Sequence, residues 1–137
     1  MPKLSVYFVR TALAYLALGF TLGAVMLAAP SLGFGVRLDR VLPLHNEFLL
    51  IGWMVQLALG VAFWILPRFR SGPERGRVDL AWLSYGLLNI GVILAAFGST
   101  IGPDSLLPLL GHVGQVLAAG AFGLHAWPRI KVFGAEH

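Results

Sequence analysis

The chain has 137 residues, of which 58% are hydrophobic, and its mean hydropathy is +0.81. A soluble domain of this size rarely carries so much apolar surface, so the composition indicates an integral membrane protein. The absence of cysteine excludes disulfides, thiolate metal sites, iron–sulfur clusters and covalent cofactor attachment through Cys-x-x-Cys-His. The pI of about 10.1 does not indicate a nucleic-acid partner, because the basic residues cluster at the ends of apolar stretches and form no basic groove.

Four apolar stretches predict a single all-α domain of four transmembrane helices. Each stretch is long enough to cross the ~30 Å hydrocarbon layer of a bilayer. The predicted helices cover about residues 6–29, 43–67, 80–98 and 106–127. The first stretch is longer than the ~7–15-residue apolar region of a secretory signal, so we expect a retained helix. The second is expected to start at Pro43 and to stop at Pro67.

The basic residues predict how the helices are oriented. With both termini and the 68–78 turn on one side, eight lysines and arginines fall on that side and only Arg37 and Arg40 fall opposite. The eight are Lys3, Arg10, Arg68, Arg70, Arg75, Arg77, Arg129 and Lys131. This asymmetry follows the positive-inside rule, so we expect a multi-pass protein of the inner (plasma) membrane with both termini cytoplasmic.

A faint internal repeat relates the two halves of the chain. The matching pairs are Gly52-x-x-x-Gln56 with Gly111-x-x-x-Gln115, and Ala62-Phe63 with Ala121-Phe122. The pattern is typical of two helical hairpins related by duplication, as in some membrane folds. The alternative is chance, because short matches arise easily in so restricted an alphabet.

His45 marks the strongest candidate site. It lies in the first turn of the second predicted helix, and no charge falls between Glu47 and Arg68. A histidine at the edge of such a span is costly without a partner, which makes it a site hypothesis by default. At ~100° per residue, Gly52 and Gln56 lie beneath it on the same face. Such a strip suits a flat macrocycle with an axial imidazole, or it simply lets helices pack closely.

His112 offers a second imidazole at a similar depth in the fourth helix. Ala119 and Gly123 lie beneath it on the same face, so a small-residue strip accompanies this histidine as well. Measured from the start of each helix, His45 and His112 differ by about 3 Å in depth, but the difference is about 9 Å when measured from the other end. Met26 is therefore kept as an alternative second ligand, since Met/His ligation is a known haem pattern.

The remaining polar and aromatic residues carry weaker signals. His125 lies thirteen residues after His112, about 20 Å further along the helix, so the two cannot share a metal. We expect His125 to hydrogen-bond across helices. Trp53 is well inside its span and is expected to pack against another helix or a flat ligand. No Ser-His-Asp arrangement, phosphate-cradling loop or His-x-x-x-His motif is present, so hydrolytic or phosphoryl-transfer chemistry has no support.

The residues from His45 to Pro67 resemble one helix of a known family. The features that carry the resemblance are His45, Gly52-Trp53, Gly60, Phe63 and Pro67-Arg68. Together they are similar to the second helix of subunit I of haem–copper oxidases, most of all in the branch that contains nitric oxide reductases. The resemblance implies that this helix enters from the outer side and that His45 is an axial ligand of a low-spin haem. The family's other haem and copper ligands map onto no residue here, so a complete catalytic site is not expected.

These observations together predict a small haem b-binding, cytochrome b-like membrane protein. Its expected role is electron transfer, or haem sensing or handling, at the outer side of the membrane. The predicted site has His45 and His112 as iron ligands, with Gly52, Trp53, Gln56, Ala119 and Gly123 around the cofactor. Copper is the less favoured cofactor.

The predicted partners are the lipid bilayer, further copies of the chain and respiratory-chain subunits. Because the chain resembles one arc of the family's subunit I, a homo-oligomer, either a dimer or a trimer, is expected. The competing hypothesis is a cofactor-free accessory or assembly subunit of a respiratory oxidase, whose polar residues only hold helices together.

Overall fold

The computed structural model describes residues 1–33, 35, 37–69, 74–101 and 105–130, and the described residues contain no strand. The elements are, in chain order, α1 (Lys3–Ala28), α2 (Leu38–Glu47), a π-helical segment (Phe48–Val55), α3 (Gln56–Ile65), α4 (Val78–Ile101), α5 (Leu107–Ala126) and a 3₁₀ turn (Trp127–Arg129). α2, the π-helical segment and α3 are continuous and are called the second span here. α1, the second span, α4 and α5 are each long and apolar enough to cross a membrane. The predicted all-α class with four span-capable helices is confirmed.

The second span begins earlier than predicted. α2 starts at Leu38, and Pro43, the expected first residue, lies inside it. A proline removes only one backbone hydrogen bond, and helices of membrane proteins accommodate it. At the other end, Leu66 has φ −57° and ψ 141° because the residue before Pro67 avoids the helical region, so the helix stops at Ile65.

The helices form two antiparallel hairpins. In the first hairpin, the Ser5 hydroxyl near the start of α1 donates to the Gly60 carbonyl near the end of the second span, at 2.8 Å. In the second, the Ser84 hydroxyl of α4 donates to the Ala118 carbonyl of α5, also at 2.8 Å. We call the end of the bundle that holds Ser5 and Ser84 the termini end, and the opposite end the distal end. Arg70 and Lys131, which enter the predicted charge asymmetry, lie outside the described residues.

Two clusters of buried side chains fill the space between the hairpins. The cluster at the termini end draws on all four spans and comprises Leu4, Phe8, Phe63, Ala81, Leu88, Ala118, Phe122 and Ala126. The distal cluster comprises Tyr15, Phe48, Val92 and Ala96, with Trp53 packed against it. Ring contacts such as Phe8–Tyr85 and Phe48–Phe97 join the two hairpins, and α2 also packs directly against α4.

The closest of those contacts lies between α4 and α5. A Cβ atom placed on Gly111 would be 2.5 Å from the Ala95 backbone nitrogen and 2.6 Å from the Gly91 carbonyl oxygen. Backbone atoms cannot move aside as the end of a side chain can. The two helices approach closely because position 111 carries no side chain.

Replacing Gly111 by alanine is expected to destabilise the fold by about 1–3 kcal/mol, because the added methyl group forces the α4 and α5 backbones apart. Gly120→Ala on the same helix is the matched control, since nothing lies within 4 Å of its added Cβ atom. Reversible unfolding in mixed detergent–dodecyl sulfate micelles, followed by circular dichroism, measures both variants. Equal loss of stability in the two would contradict this account of the contact.

Candidate functional site

Gly52 and Gln56, the residues predicted beneath His45, face α1, and so does Gly60. A Cβ atom placed on Gly52 would lie 2.7 Å from Cγ of Tyr15, and one placed on Gly60 would lie 2.5 Å from Cβ of Phe8. The Gln56 amide nitrogen lies 3.5 Å from the Phe8 carbonyl oxygen, and the Gln56 side chain is fully buried. His45, Gly52, Gln56 and Gly60 thus form one face of the second span.

This face is occupied by α1, not left open for a flat ligand. Tyr15 fills the space at Gly52, and Phe8 fills the space at Gly60. The predicted macrocycle slot directly beneath His45 is therefore closed within one chain. The glycines instead allow close helix packing, which is the commoner use of small residues in membrane helices.

The His45 ring itself has a defined orientation. Its Nδ1 atom lies 2.8 Å from the Gly19 carbonyl oxygen. A carbonyl only accepts, so Nδ1 carries the proton and donates it. A Cβ atom placed on Gly23 would lie 2.8 Å from the His45 Cε1 atom, so the ring fills the space above that glycine. No described residue hydrogen-bonds Nε2 of His45, which keeps its lone pair.

An apolar groove lies beside this ring. Its volume is about 530 Å³, it opens on the surface of the bundle, and His45 and Met26 both line it. Its other walls are mainly leucine, phenylalanine and small residues from α1 and the second span, among them Phe20, Leu42 and Leu49. Ligand sites commonly combine such an apolar cavity of ~300–1,000 Å³ with a few placed polar groups. The groove is thus lined by the oriented imidazole of His45 and by the thioether of Met26.

His112 does not reach this groove. Its side chain is exposed on α5, and its Nδ1 atom lies 3.4 Å from the Gln115 side-chain oxygen. The Gln115 amide in turn donates to the Glu47 carboxylate of the second span. Glu47 is two residues after His45 and therefore points to the opposite side of that helix. The two histidines contact different helices, and the described residues hold no group of three or more side chains suited to a metal ion.

The other predicted site residues lie apart from the groove. Trp53 packs against the distal cluster, in agreement with one of its two expected roles. Gln56 keeps its side-chain oxygen buried without a partner among the described residues. Ala119 and Gly123 lie exposed on α5, and no atom comes within 4 Å of a Cβ atom placed on Gly123. Ala119 also lines an apolar groove of about 310 Å³ together with Ile51, Val55 and Leu59 of the second span.

A second polar cluster, at the termini end, escaped the sequence analysis. The Arg129 side chain is only 1% exposed, and no described acidic residue pairs with it. Its guanidinium donates to the carbonyl oxygens that end the second span: Pro67 at 3.0 Å, Leu66 at 2.7 Å and Phe63 at 3.3 Å. These carbonyls have no helical partner, so a cation there satisfies them and complements the helix dipole. The only signal in the sequence was an arginine four residues after His125.

His125 completes this cluster. Its Nδ1 atom lies 2.9 Å from the Arg77 carbonyl oxygen and its Nε2 atom 2.9 Å from the Arg129 guanidinium, so Nδ1 donates and Nε2 accepts. Both ring nitrogens are used, and neither is left for a metal. Arg75 also donates to the Phe63 carbonyl, at 3.0 Å, and burial lowers the pKa of its guanidinium, with nearby Arg68 adding to the effect. Arg75 still stays charged at neutral pH.

Arg129→Gln is expected to destabilise the protein by at least about 2 kcal/mol, because buried carbonyl groups lose a charged donor. The matched control is Arg68→Gln, whose side chain is 59% exposed and pairs with Glu74 at 3.6 Å. Such a surface pair contributes less than about 1 kcal/mol. Unfolding midpoints in mixed micelles compare the two, and an Arg129→Gln midpoint no lower than the control's would show that the cluster does not stabilise the fold.

Comparisons with known proteins leave this geometry as the main guide to function. No protein family, no curated protein and no solved structure matches the chain. The resemblance of the second span to a helix of haem–copper oxidase subunit I therefore stays a prediction from the sequence. The fold adds the position of His45, held by the Gly19 carbonyl at the edge of an apolar groove.

Proposed function

We propose that this chain is a small membrane protein that binds haem b, with His45 as an axial ligand at the groove between α1 and α2. One observation carries the proposal: the Gly19 carbonyl, 2.8 Å from Nδ1, sets the tautomer in which Nε2 keeps its lone pair, and no described residue hydrogen-bonds Nε2. Imidazoles that bind metals almost always donate their other ring nitrogen to a carbonyl or carboxylate in this way. His45 thus has the chemistry of a metal ligand.

The residues around His45 fit such a group only on the groove side. The apolar walls would exclude water from the ligand, and Met26 is the other side chain with haem-ligand chemistry on the same groove. The face with Gly52 and Gln56 is used for packing against α1. A bound haem would supply one-electron redox chemistry, and the chain's own part is to hold the imidazole tautomer and a dry surrounding.

The proposed role is electron transfer, or haem sensing or handling, in the inner (plasma) membrane with both termini in the cytoplasm. The excess of basic residues on the termini side supports this orientation. A homo-oligomer, a dimer or a trimer beside respiratory-chain subunits, belongs to the same proposal. The exposed α5 face, which carries His112, Ala119 and Gly123, is available to a second copy of the chain. Only in such an oligomer could His112 approach the iron of another chain.

A cofactor-free accessory subunit is the second candidate. The closed face beneath His45 favours it, because Gly52 and Gly60 receive Tyr15 and Phe8 without leaving a slot. The bond from His45 to Gly19 also joins α1 to the second span with no ligand needed. On this reading the histidine is an interhelical hydrogen-bond donor, worth ~0.6 kcal/mol on average in a membrane.

The reduced-minus-oxidised absorption spectrum of protein purified with excess haem separates the two candidates. The haem proposal predicts a Soret and an α band that are lost in His45→Ala and kept in His112→Ala, because only His45 lines the groove. Metal affinity commonly falls 10–100-fold when even a supporting residue is removed, so loss of the ligand itself is expected to abolish stoichiometric binding. A colourless wild-type protein, or one whose bands survive His45→Ala, would overturn the haem proposal.

Met26→Leu tests the second ligand. If Met26 completes the coordination, its replacement by an apolar residue of similar size opens a position, and carbon monoxide then shifts the Soret band of the reduced variant. The wild-type protein is expected to respond much less, because both axial positions are filled. The His112→Ala variant is the matched control and should behave like wild type. A wild-type protein that already binds carbon monoxide fully would exclude Met26 as a ligand.

A further inference from the structure

Two basic side chains of α1 lie in a shallow crevice at the termini end, far from His45. The crevice has a volume of about 330 Å³ and is lined by Met1, Lys3, Val6, Tyr7 and Arg10. Lys3 and Arg10 are seven residues apart, so they lie on one face of α1, within about 20° of each other, with Tyr7 between them. The crevice combines cations with an apolar floor.

Neither cation pairs with an acidic group among the residues that the structure describes. The ion pairs among described residues join Arg68 to Glu74 and Arg77 to Asp79, and both lie outside the crevice. Lys3 and Arg10 form no hydrogen bond or ion pair with any described residue. Within the described part of the chain, two positive charges without an acidic partner therefore line the same cavity.

The depth of Arg10 makes that cavity unusual. α1 has 26 residues and is about 39 Å long, so only about 9 Å of it can extend beyond a ~30 Å hydrocarbon layer. Arg10 is the eighth residue of α1 and starts inside the layer even if the whole excess lies at the termini end. A charged side chain at this depth reaches back to the headgroups, which here brings its guanidinium towards Lys3.

Aromatic side chains mark the same level. The Tyr7 ring lies 5.6 Å from the Trp82 ring of α4, and both side chains are roughly half exposed. Tyrosine and tryptophan prefer the boundary between headgroups and hydrocarbon. The crevice thus faces the layer in which lipid phosphates are concentrated.

We propose that Lys3, Tyr7 and Arg10 bind the headgroup phosphate of an anionic phospholipid, with the acyl chains lying along the apolar surface of α1. The positive charges of Lys3 and Arg10 complement the negative charge of the phosphate. The depth of Arg10 favours a counter-ion that is anchored in the membrane. The site is independent of haem binding and would exist in either candidate function.

Native mass spectrometry of the detergent-purified protein, titrated with dioleoyl-phosphatidylglycerol or dioleoyl-phosphatidylcholine, tests the proposal. Each of Lys3→Gln and Arg10→Gln is expected to weaken phosphatidylglycerol binding about fivefold, and the double variant about 25-fold. The matched control is the double variant Arg68→Gln/Arg77→Gln, which removes the same charge at the same end and should stay within about twofold of wild type. Phosphatidylcholine binding should be the same in all variants.

Three results would overturn the proposal: wild-type phosphatidylglycerol affinity in the crevice double variant, an equal loss in the control, or displacement of the lipid by an equal concentration of inorganic phosphate. A second measurement needs no charge variant. In bilayers of equal composition, brominated phosphatidylglycerol should quench the Trp82 fluorescence, obtained as the difference between wild type and Trp82→Phe, more than brominated phosphatidylcholine does. Equal quenching by the two lipids would contradict a specific site.

Discussion

The close contact between α1 and the second span determines most of what surrounds His45. Four glycines make it, each receiving one side chain of the facing helix: Leu49 on Gly19, His45 on Gly23, Tyr15 on Gly52 and Phe8 on Gly60. Nearest the distal end the glycines belong to α1, and from the middle of the bundle to the termini end they belong to the second span. Because lipid tails are as apolar as the helices, such packing, and not water exclusion, holds the pair together.

The same contact gives His45 its chemical character. The imidazole fills the space above Gly23, and its Nδ1 donates to the Gly19 carbonyl one turn away. Packing therefore fixes the ring position while the hydrogen bond fixes its tautomer. A side chain held by both constraints presents Nε2 in one direction only, which is what metal ligation requires of a protein. A ligand in the groove would therefore require little rearrangement of the His45 ring.

The sequence was sufficient for the helices, for their approximate ends and for the face that carries His45, Gly52 and Gln56, because hydropathy and the 3.6-residue period act locally. It did not reveal which helix covers that face, since periodicity defines a direction but not a neighbour. The same limit explains why His112 and His45, which were predicted to share a site, lie apart. Similar positions along two helices do not show to which side each side chain points. The Arg129 cluster was missed for a related reason, because its acceptors are backbone carbonyls, which every residue carries.

The Arg129 contacts also have a consequence for biosynthesis. The carbonyls of Leu66 and Pro67 receive their donor from a residue made more than sixty positions later. Until α5 has been synthesised, these two carbonyls lack the Arg129 donor and are open to other hydrogen-bond donors. The hydrogen bonds at the end of the second span therefore form only after the last helix has been made. Assembly of this end of the bundle depends on the C-terminal part of the chain.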